Sequence, residues 1–162
     1  MKRTYRTVIG VMGASLCDQN VYEMAREVGR LVAQRGAVLL CGGRGGVMEA
    51  AARGAKEKGG LTIGILPGIN ASETPPNPFI DVAIFTGLRD GRNWVNVCAS
   101  DAIIAISGGY GTLSEIALAL KVGKPVVLLH SWELPLLNVA PIYVAQTPEE
   151  AVEIAFQQIH GI

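Results

Sequence analysis

Short apolar segments alternate with longer segments of helical spacing along this chain, and that alternation constrains the fold more than any other feature. The short segments are nearly continuous in apolar residues, which is typical of strands buried on both faces. They predict six strands and a possible seventh: Val8–Met12, Val38–Cys41, Thr62–Leu66, Asp81–Phe85, Ala102–Ile106, Pro125–Leu129 and Ile142–Val144. The longer segments predict five helices: Val21–Gln34, Val47–Lys58, Arg92–Ser100, Thr112–Val122 and Pro148–Ile159. This order predicts an α/β protein with an open, mainly parallel sheet and helices on both faces.

The length and charge of the chain limit what it can bind. With 162 residues, of which 49% are hydrophobic, it is predicted to form one domain, 1–162. Such a chain can bury roughly two-thirds of its unfolded surface around a single core. The 14 basic and 14 acidic residues cancel, so the positive field that attracts a nucleic-acid backbone is missing. We therefore expect no nucleic acid partner.

The N-terminal region and the cysteines exclude further classes. The apolar run from Val8 to Met12 is too short for a secretory segment or a membrane span, so we expect a cytoplasmic protein without a membrane partner. Cys17, Cys41 and Cys98 form no CxxC pair, and the chain has two histidines. Because metal-ligand spacing is missing and the cysteine count is odd, we expect neither a metal site nor a disulfide framework.

Three glycine-bearing turns follow predicted strands, at the carboxyl ends where open parallel sheets bind ligands. They are Gly13-Ala14-Ser15, Gly42-Gly43-Arg44-Gly45-Gly46 and Ser107-Gly108-Gly109-Tyr110-Gly111. The second and third turns open directly into predicted helices. Glycine lets a ligand approach the backbone, and the first turn of a helix presents unpaired N–H groups, so these junctions favour phosphate binding. The alternative is that the glycines only allow a sharp turn.

The glycine patterns do not match the common nucleotide fingerprints. Neither Gly43-x-Gly45 nor Gly109-x-Gly111 continues to GxGxxG, and no acidic residue ends the second strand, which argues against NAD. No GxxxxGK[ST] sequence occurs, so a nucleoside triphosphatase has little support. A phosphorylated ligand of another kind is therefore expected.

Charged residues beside these turns have two interpretations each. Glu115 completes the T-x-x-E pattern that begins at Thr112, a capping box in which the glutamate reaches back to the backbone of its own helix. It is also placed to touch the sugar or base of a phosphorylated ligand. Arg92 is expected in the first turn of a helix, where it either meets an anion or pairs with Asp90 in solvent. Arg44, in the second glycine turn, has the same alternatives.

One long segment, from Pro67 to Pro78, shows no periodicity. It contains glycine, asparagine and a Pro-Pro pair, while strand and helix patterns continue on both sides. Such a segment is either a loop that covers a ligand or a simple surface excursion.

The nine residues from Ser107 to Glu115, SGGYGTLSE, resemble a motif of a known superfamily. This Rossmann-like SLOG superfamily holds the LONELY GUY phosphoribohydrolases, once mislabelled lysine decarboxylases, and the molybdenum cofactor carrier proteins, with DNA-processing protein A as a distant relative. The hydrolases carry PGGxGTxxE, from which this chain departs at Ser107. Their catalytic arginine lies in an Arg-Lys pair, whereas this chain has Arg92-Asn93. The turn from Gly42 to Met48 resembles the family's second glycine motif, and the resemblance covers nearly the whole chain.

The resemblance implies a Rossmann-like sheet of about six or seven strands, with its ligand at the glycine turns. Together with the turns it predicts these ligand-binding residues: Gly13, Ala14, Ser15, Gly42, Gly43, Arg44, Gly45, Gly46, Met48, Arg92, Gly108, Gly109, Tyr110, Gly111, Thr112 and Glu115. In the hydrolases the matching arginine and glutamate act on the N-glycosidic bond of a nucleoside 5′-monophosphate. Arg92 and Glu115 are therefore catalytic if this chain is a hydrolase.

The departures at Ser107 and Asn93 favour the carrier branch, whose members bind and protect a phosphorylated pterin. The leading prediction is a carrier of that type, which binds a phosphorylated nucleotide-like or pterin-like molecule such as the molybdenum cofactor and requires no cofactor of its own. A phosphoribohydrolase is the alternative, and a ligand-sensing module without turnover is a weaker one. The resemblance also implies a homodimer or larger homo-oligomer, with Trp94, Val95 and Val97 either at the interface or in the monomer core.

Overall fold

The computed structural model describes residues 3–135 and 141–160. Its strands are β1 (Val8–Gly13), β2 (Val38–Cys41), β3 (Thr62–Leu66), β4 (Val82–Phe85), β5 (Ala102–Ile106), β6 (Val126–Leu129) and β7 (Ile142–Ala145). Its helices are α1 (Gln19–Gln34), α2 (Val47–Glu57), α3 (Arg92–Ala99), α4 (Tyr110–Lys121) and α5 (Pro148–His160), and a short 3-10 turn, Arg89–Gly91, precedes α3. The predicted α/β alternation is confirmed.

The seven strands form one parallel sheet in the order β4-β3-β2-β1-β5-β6-β7. The chain builds outward from β1 to β4 and then crosses back to β5, which pairs with the other side of β1. The pairing of β1 with β5 ends where Gly13 lies opposite Ile106. The carboxyl ends of these two strands are therefore neighbours at the point where the strand order reverses. In open α/β sheets, ligands bind in the crevice at such a point.

Helices cover both faces of the sheet and bury an apolar layer on each. Helices α1, α2 and α5 share one core cluster with strand residues such as Ile9 and Ile104. Helices α3 and α4 share the other cluster with residues such as Met12 and Ile103. Neighbouring strand residues thus enter opposite layers, because side chains alternate along a strand, and the strands consequently consist of continuous apolar runs. No helix within the described ranges is long and apolar enough to cross a membrane.

The predicted elements lie within two residues of their predicted bounds, and side-chain hydrogen bonds account for two of the differences. Helix α1 begins at Gln19, two residues earlier than predicted, because the Asp18 carboxylate accepts a hydrogen bond from the backbone N–H of Val21 at 2.8 Å and so caps the helix. Strand β4 begins at Val82 instead of Asp81. The Asp81 carboxylate accepts hydrogen bonds from the backbone N–H of Thr62 and from Lys56. Asp81 therefore links the residue before β4 to the start of β3.

The irregular loop at 67–78 packs against the second glycine turn. Thr74 is buried, and its hydroxyl accepts a hydrogen bond from the N–H of Gly68 at 3.2 Å. The backbone N–H of Asn77 donates to the carbonyl of Gly43 at 2.9 Å, and its side-chain amide donates to the carbonyl of Arg44 at 2.8 Å. The loop therefore supports the outer side of the β2–α2 turn, and it contributes no residue to the lining of the cleft described below.

Candidate functional site

A cleft of about 290 Å³ opens at the carboxyl edge of the sheet, where β1 and β5 lie side by side. Strand β1 and the turn after it supply one wall, and the start of α4 supplies the opposite wall. The start of α3 and the beginning of the β2–α2 turn complete the lining. The lining residues are Met12, Gly13, Ala14, Ser15, Gly42, Met48, Asp90, Arg92, Asn93, Gly109, Gly111, Thr112 and Glu115.

Most of the residues predicted to bind a ligand line this cleft. Six of them do not: Gly43, Arg44, Gly45, Gly46, Gly108 and Tyr110. Three lining residues were missed by the sequence interpretation, namely Met12, Asp90 and Asn93. Position along the chain offered a signal for each, because Met12 ends a predicted strand and the other two flank Arg92.

The β2–α2 turn uses its glycines to bring backbones together. Gly46 has a φ of 62°, and a Cβ atom there would lie 2.3 Å from the carbonyl oxygen of Ala14. Gly43 also has a positive φ, 79°, and a Cβ atom there would lie 3.0 Å from the side chain of Leu66 and 3.3 Å from the Cα of Gly64. The N–H of Val47 donates to the carbonyl of Ala14 at 3.0 Å. The turn is therefore fixed by packing, which accounts for Gly43 and Gly46 without a ligand.

The β5–α4 turn differs from the predicted helix start. Helix α4 begins at Tyr110, with Gly109 as its N-cap residue, and the N–H of Leu113 donates to the carbonyl of Gly109 at 3.0 Å. Thr112 therefore lies inside the first turn, and the predicted capping box between Thr112 and Glu115 is wrong. The hydrogen bonding of the Gly109 backbone starts the helix two residues before the threonine.

Gly109 and Gly111 face open space at the mouth of this turn. A Cβ atom at either position would meet no heavy atom within 4 Å. Gly111 is helical, so its backbone conformation does not require glycine, and the φ of Gly109, −104°, is not in the left-handed region that favours glycine. The first turn of α4 thus exposes its backbone N–H groups to the cleft, with the positive end of the helix dipole behind them.

Arg92 is anchored between two strands by backbone contacts. Its Nη1 donates to the carbonyl of Gly42 at 2.7 Å and to the carbonyl of Ile65 at 2.9 Å. A Cβ atom at Gly42 would lie 2.1 Å from that nitrogen, so this glycine makes room for the guanidinium group. Burial lowers the pKa of Arg92 below its ordinary value. Its hydrogen bonds therefore go to the backbone, and the alternative of a solvent-exposed pair with Asp90 is wrong.

Glu115 lies on the floor of the cleft with 7% of its surface exposed. The side-chain amide of Asn96 in α3 donates to Oε2 of Glu115 at 2.8 Å. Burial raises the pKa of Glu115 to about 7, and the amide and the positive charge of Arg92 oppose that rise. The glutamate is therefore held by α3 across the helix interface instead of capping α4, and its carboxyl group gains or loses a proton near neutral pH.

The fold and this cleft define an α/β protein of the Rossmann-like type with a polar site at the switch point of its sheet. Residues 6–158 match the SLOG cluster4 family, and the chain belongs to that family. The superfamily that the glycine motif suggested is thereby confirmed.

Solved structures and a curated relative place two kinds of protein near this chain. The molybdenum cofactor binding protein from Rippkaea orientalis is 42% identical, with a TM-score of 0.90 over 97% of this chain and 99% of that one. The molybdenum cofactor carrier protein MCP from Chlamydomonas reinhardtii is 38% identical, with a TM-score of 0.87 over 98% and 100% of the two chains. The cytokinin riboside 5′-monophosphate phosphoribohydrolase of Mycobacterium tuberculosis is 33% identical over 78% of this chain and 71% of its own.

Proposed function

We propose that this chain, as a single domain spanning 1–162, binds a small phosphorylated molecule of the nucleotide or pterin type in the cleft and acts as a carrier for it. One observation supports this most directly. The first turn of α4 opens into the cleft through Gly109 and Gly111, and a Cβ atom at either glycine would meet no heavy atom within 4 Å. Gly111 lies inside the first turn of α4, where glycine costs stability relative to alanine, so its presence favours a ligand in the open space beside it.

The phosphate group of the ligand fits the start of α4. Backbone N–H groups and the helix dipole favour an anion there, and the anchored guanidinium of Arg92 adds a positive charge to the same cleft. Nη1 of Arg92 is committed to two carbonyls, while no hydrogen bond from its Nη2 or Nε reaches a residue in the described ranges. Those remaining donors are suited to a phosphate oxygen.

The shape of the β5–α4 turn favours a carrier over a hydrolase. Ser107 leaves β5 with a φ of 51°, a left-handed conformation that the ring of proline forbids. The leading proline of the hydrolase motif therefore does not fit this turn, and the local backbone differs from the one that the motif describes. Asn93, at the position of the motif's lysine, donates to the hydroxyl of Ser114 at 3.0 Å and brings no second positive charge. The 42% and 38% identity to the two molybdenum cofactor proteins supports the same choice.

A phosphoribohydrolase is the second candidate, because Arg92 and Glu115 line one cleft. A carboxyl group with a pKa of about 7 is suited to general acid or base chemistry at neutral pH. The resemblance to the mycobacterial hydrolase supports this candidate at lower identity. Release of ribose 5-phosphate from a nucleoside 5′-monophosphate, lost in Glu115→Gln, would favour it over the carrier.

Thermal unfolding with ligands tests the binding proposal. Phosphate, sulfate or AMP should raise the melting temperature of the native protein, because a ligand that binds only the folded state stabilises it. Gly111→Val or Gly109→Val should abolish that rise while changing the ligand-free melting temperature little. Ala117→Val is the matched control, since Ala117 is exposed on the same helix and lies outside the cleft. A rise that survives both glycine substitutions would contradict the assignment of the phosphate site.

We also propose that the protein is a homodimer, as the resemblance implied. Trp94 supports this in part, because 44% of its surface is exposed on α3. Val97 is fully buried in the core cluster beneath α3, so it is not available to a partner. A monomer in light scattering at micromolar concentration would contradict the dimer.

A further inference from the structure

A buried amide lies against the carboxyl group of Glu115. Asn96, a residue of α3, has 1% of its surface exposed, and its side chain reaches across to α4. The Nδ2 group donates to Oε2 of Glu115, yet Oδ1 of the same amide accepts no hydrogen bond from any residue in the ranges 3–135 and 141–160. A buried polar atom without a partner destabilises the fold, because no hydrogen bond replaces those it made with water. The amide oxygen of Asn96 therefore has no hydrogen-bond donor among the described residues while Glu115 is ionised.

Protonation of Glu115 would supply the missing partner. An ionised carboxylate only accepts hydrogen bonds, whereas a carboxylic acid has one O–H donor in addition to an acceptor oxygen. An asparagine amide has the complementary pair, a donor and an acceptor side by side. The amide can therefore donate to the acid through Nδ2 and accept the acid proton at Oδ1.

We propose that Asn96 is a positioning residue that holds Glu115 in both of its protonation states, with Nδ2 donating to the carboxyl group throughout and Oδ1 accepting the proton of the carboxylic acid. The inference rests on the proposed function only in taking this cleft as the ligand site. In that site, Asn96 keeps the Glu115 carboxyl group in one position, whether the carboxyl group presents a negative charge or a neutral acid to the ligand.

The surroundings of Glu115 allow both its ionised and its protonated form. Arg92, from the start of α3, favours the carboxylate, and burial favours the acid. Asp90 lines the same cleft from the 3-10 turn, and the buried thiol of Cys41 at the end of β2 interacts with both Arg92 and Glu115. Burial outweighs the opposing effects and raises the pKa of Glu115 to about 7, so the two forms coexist at neutral pH.

A titration of the ligand-free protein tests this role. The carboxyl carbon of Glu115 is followed by ¹³C NMR from pH 5.5 to 8.5, with its signal assigned by its loss in Glu115→Gln. In Asn96→Leu the carboxylic acid loses two neutral hydrogen bonds, whereas the carboxylate loses one charge-assisted bond, which is roughly twice as strong as a neutral one. The two losses therefore offset, and the midpoint should move by less than about half a pH unit. If the amide served the carboxylate alone, the midpoint would rise by about one pH unit or more, and that result would overturn the proposal.

A matched control variant and a second measurement complete the test of Asn96. Asn93→Leu removes an amide that bridges the same two helices through Ser114, and it should leave the Glu115 midpoint unchanged. If Asn96→Leu does not fold, the double-mutant cycle of Asn96→Ala with Glu115→Ala gives the coupling energy of the pair at pH 5.5 and pH 8.5. We expect a coupling at pH 5.5 at least equal to that at pH 8.5. A charge-assisted bond is roughly twice as strong as a neutral one, so a coupling that falls by half on acidification would overturn the proposal.

These measurements need no ligand, so they separate the two proposals. A failed titration or cycle would remove the role of Asn96 and leave phosphate binding untouched. A melting temperature that does not respond to phosphate, sulfate or AMP would contradict the proposed function and leave the pairing of Asn96 with Glu115 in place.

Discussion

The two glycine-rich turns have similar sequences, but different physical reasons account for the glycines in each turn. In the β2–α2 turn, Gly43 and Gly46 have positive φ angles and lie against neighbouring backbone or side chains. In the β5–α4 turn, Gly109 and Gly111 have no positive φ angle, and both face open space. Of these four glycines, the two that packing requires lie outside the lining of the cleft, and the two that face open space belong to it. The difference is testable one residue at a time.

The largest expected effect is on stability, in a comparison of Gly46→Ala with Gly111→Ala. A Cβ atom at Gly46 meets the Ala14 carbonyl at 2.3 Å in a left-handed conformation, so the free energy of unfolding should fall by more than about 3 kcal/mol. Alanine at Gly111 should stabilise the ligand-free protein by about 0.5–1 kcal/mol, because alanine is the better helix former. Urea unfolding of both variants measures the difference. Equal losses at the two positions would contradict the comparison.

Ser107 provides a second comparison, within the β5–α4 turn. Ser107→Pro would convert the turn to the hydrolase motif, but proline cannot adopt a φ of 51°, so we expect a loss of about 3 kcal/mol. Ser107→Gly is the control and should be neutral or stabilising by up to about 1 kcal/mol, since glycine adopts that conformation without strain. A Ser107→Pro protein of native stability would show that the turn accepts the hydrolase backbone.

The sequence predicted the architecture of the sheet well because buried strands carry a strong local signal. Val38–Cys41, Thr62–Leu66 and Ala102–Ile106 have the predicted bounds, and each is an apolar run between turns. The sequence did not predict the pairing of β1 with β5, but open parallel sheets bind ligands at the carboxyl ends of their strands. The expected location of the site at the strand ends depended on that rule.

The chemistry of Glu115 could not be predicted in the same way. The T-x-x-E pattern is local and indicates a cap, whereas the actual partner of the glutamate is Asn96, 19 residues earlier on another helix. Arg92 similarly bonds to Gly42 and Ile65, which no spacing in the sequence connects to it. Burial and hydrogen bonding of these side chains come from helix packing on the sheet, and a single sequence does not contain that information.

The raised pKa of Glu115 predicts a pH-dependent stability that Glu115→Gln removes. A carboxyl group whose pKa is about 7 when folded, against about 4.5 when unfolded, favours folding fully below pH 4.5, and this contribution is lost as the pH rises through 7. Glutamine does not titrate, so Glu115→Gln should gain about 3 kcal/mol relative to the native protein between pH 4.5 and pH 8.5. Urea unfolding across this range measures the gain. Parallel curves for the two proteins would contradict the raised pKa.

The smallest expected effect is on the affinity for an anion at the β5–α4 turn. It tests whether an anion bound beside Gly109 and Gly111 lies close to the carboxyl group of Glu115. Sulfate keeps its double negative charge from pH 5.5 to 8.5, so any change in its affinity over that range reports on the protein. Because Glu115 is mostly neutral at pH 5.5 and mostly ionised at pH 8.5, repulsion should weaken sulfate binding at the higher pH, by roughly threefold to tenfold. Calorimetric titration of sulfate into the native protein and into Glu115→Gln measures this. The variant should bind sulfate with nearly equal affinity at both pH values, since it retains the start of α4 and Arg92 but carries no charge at position 115. An equal weakening in the variant would place the bound anion away from Glu115, and the open glycines would then need another explanation.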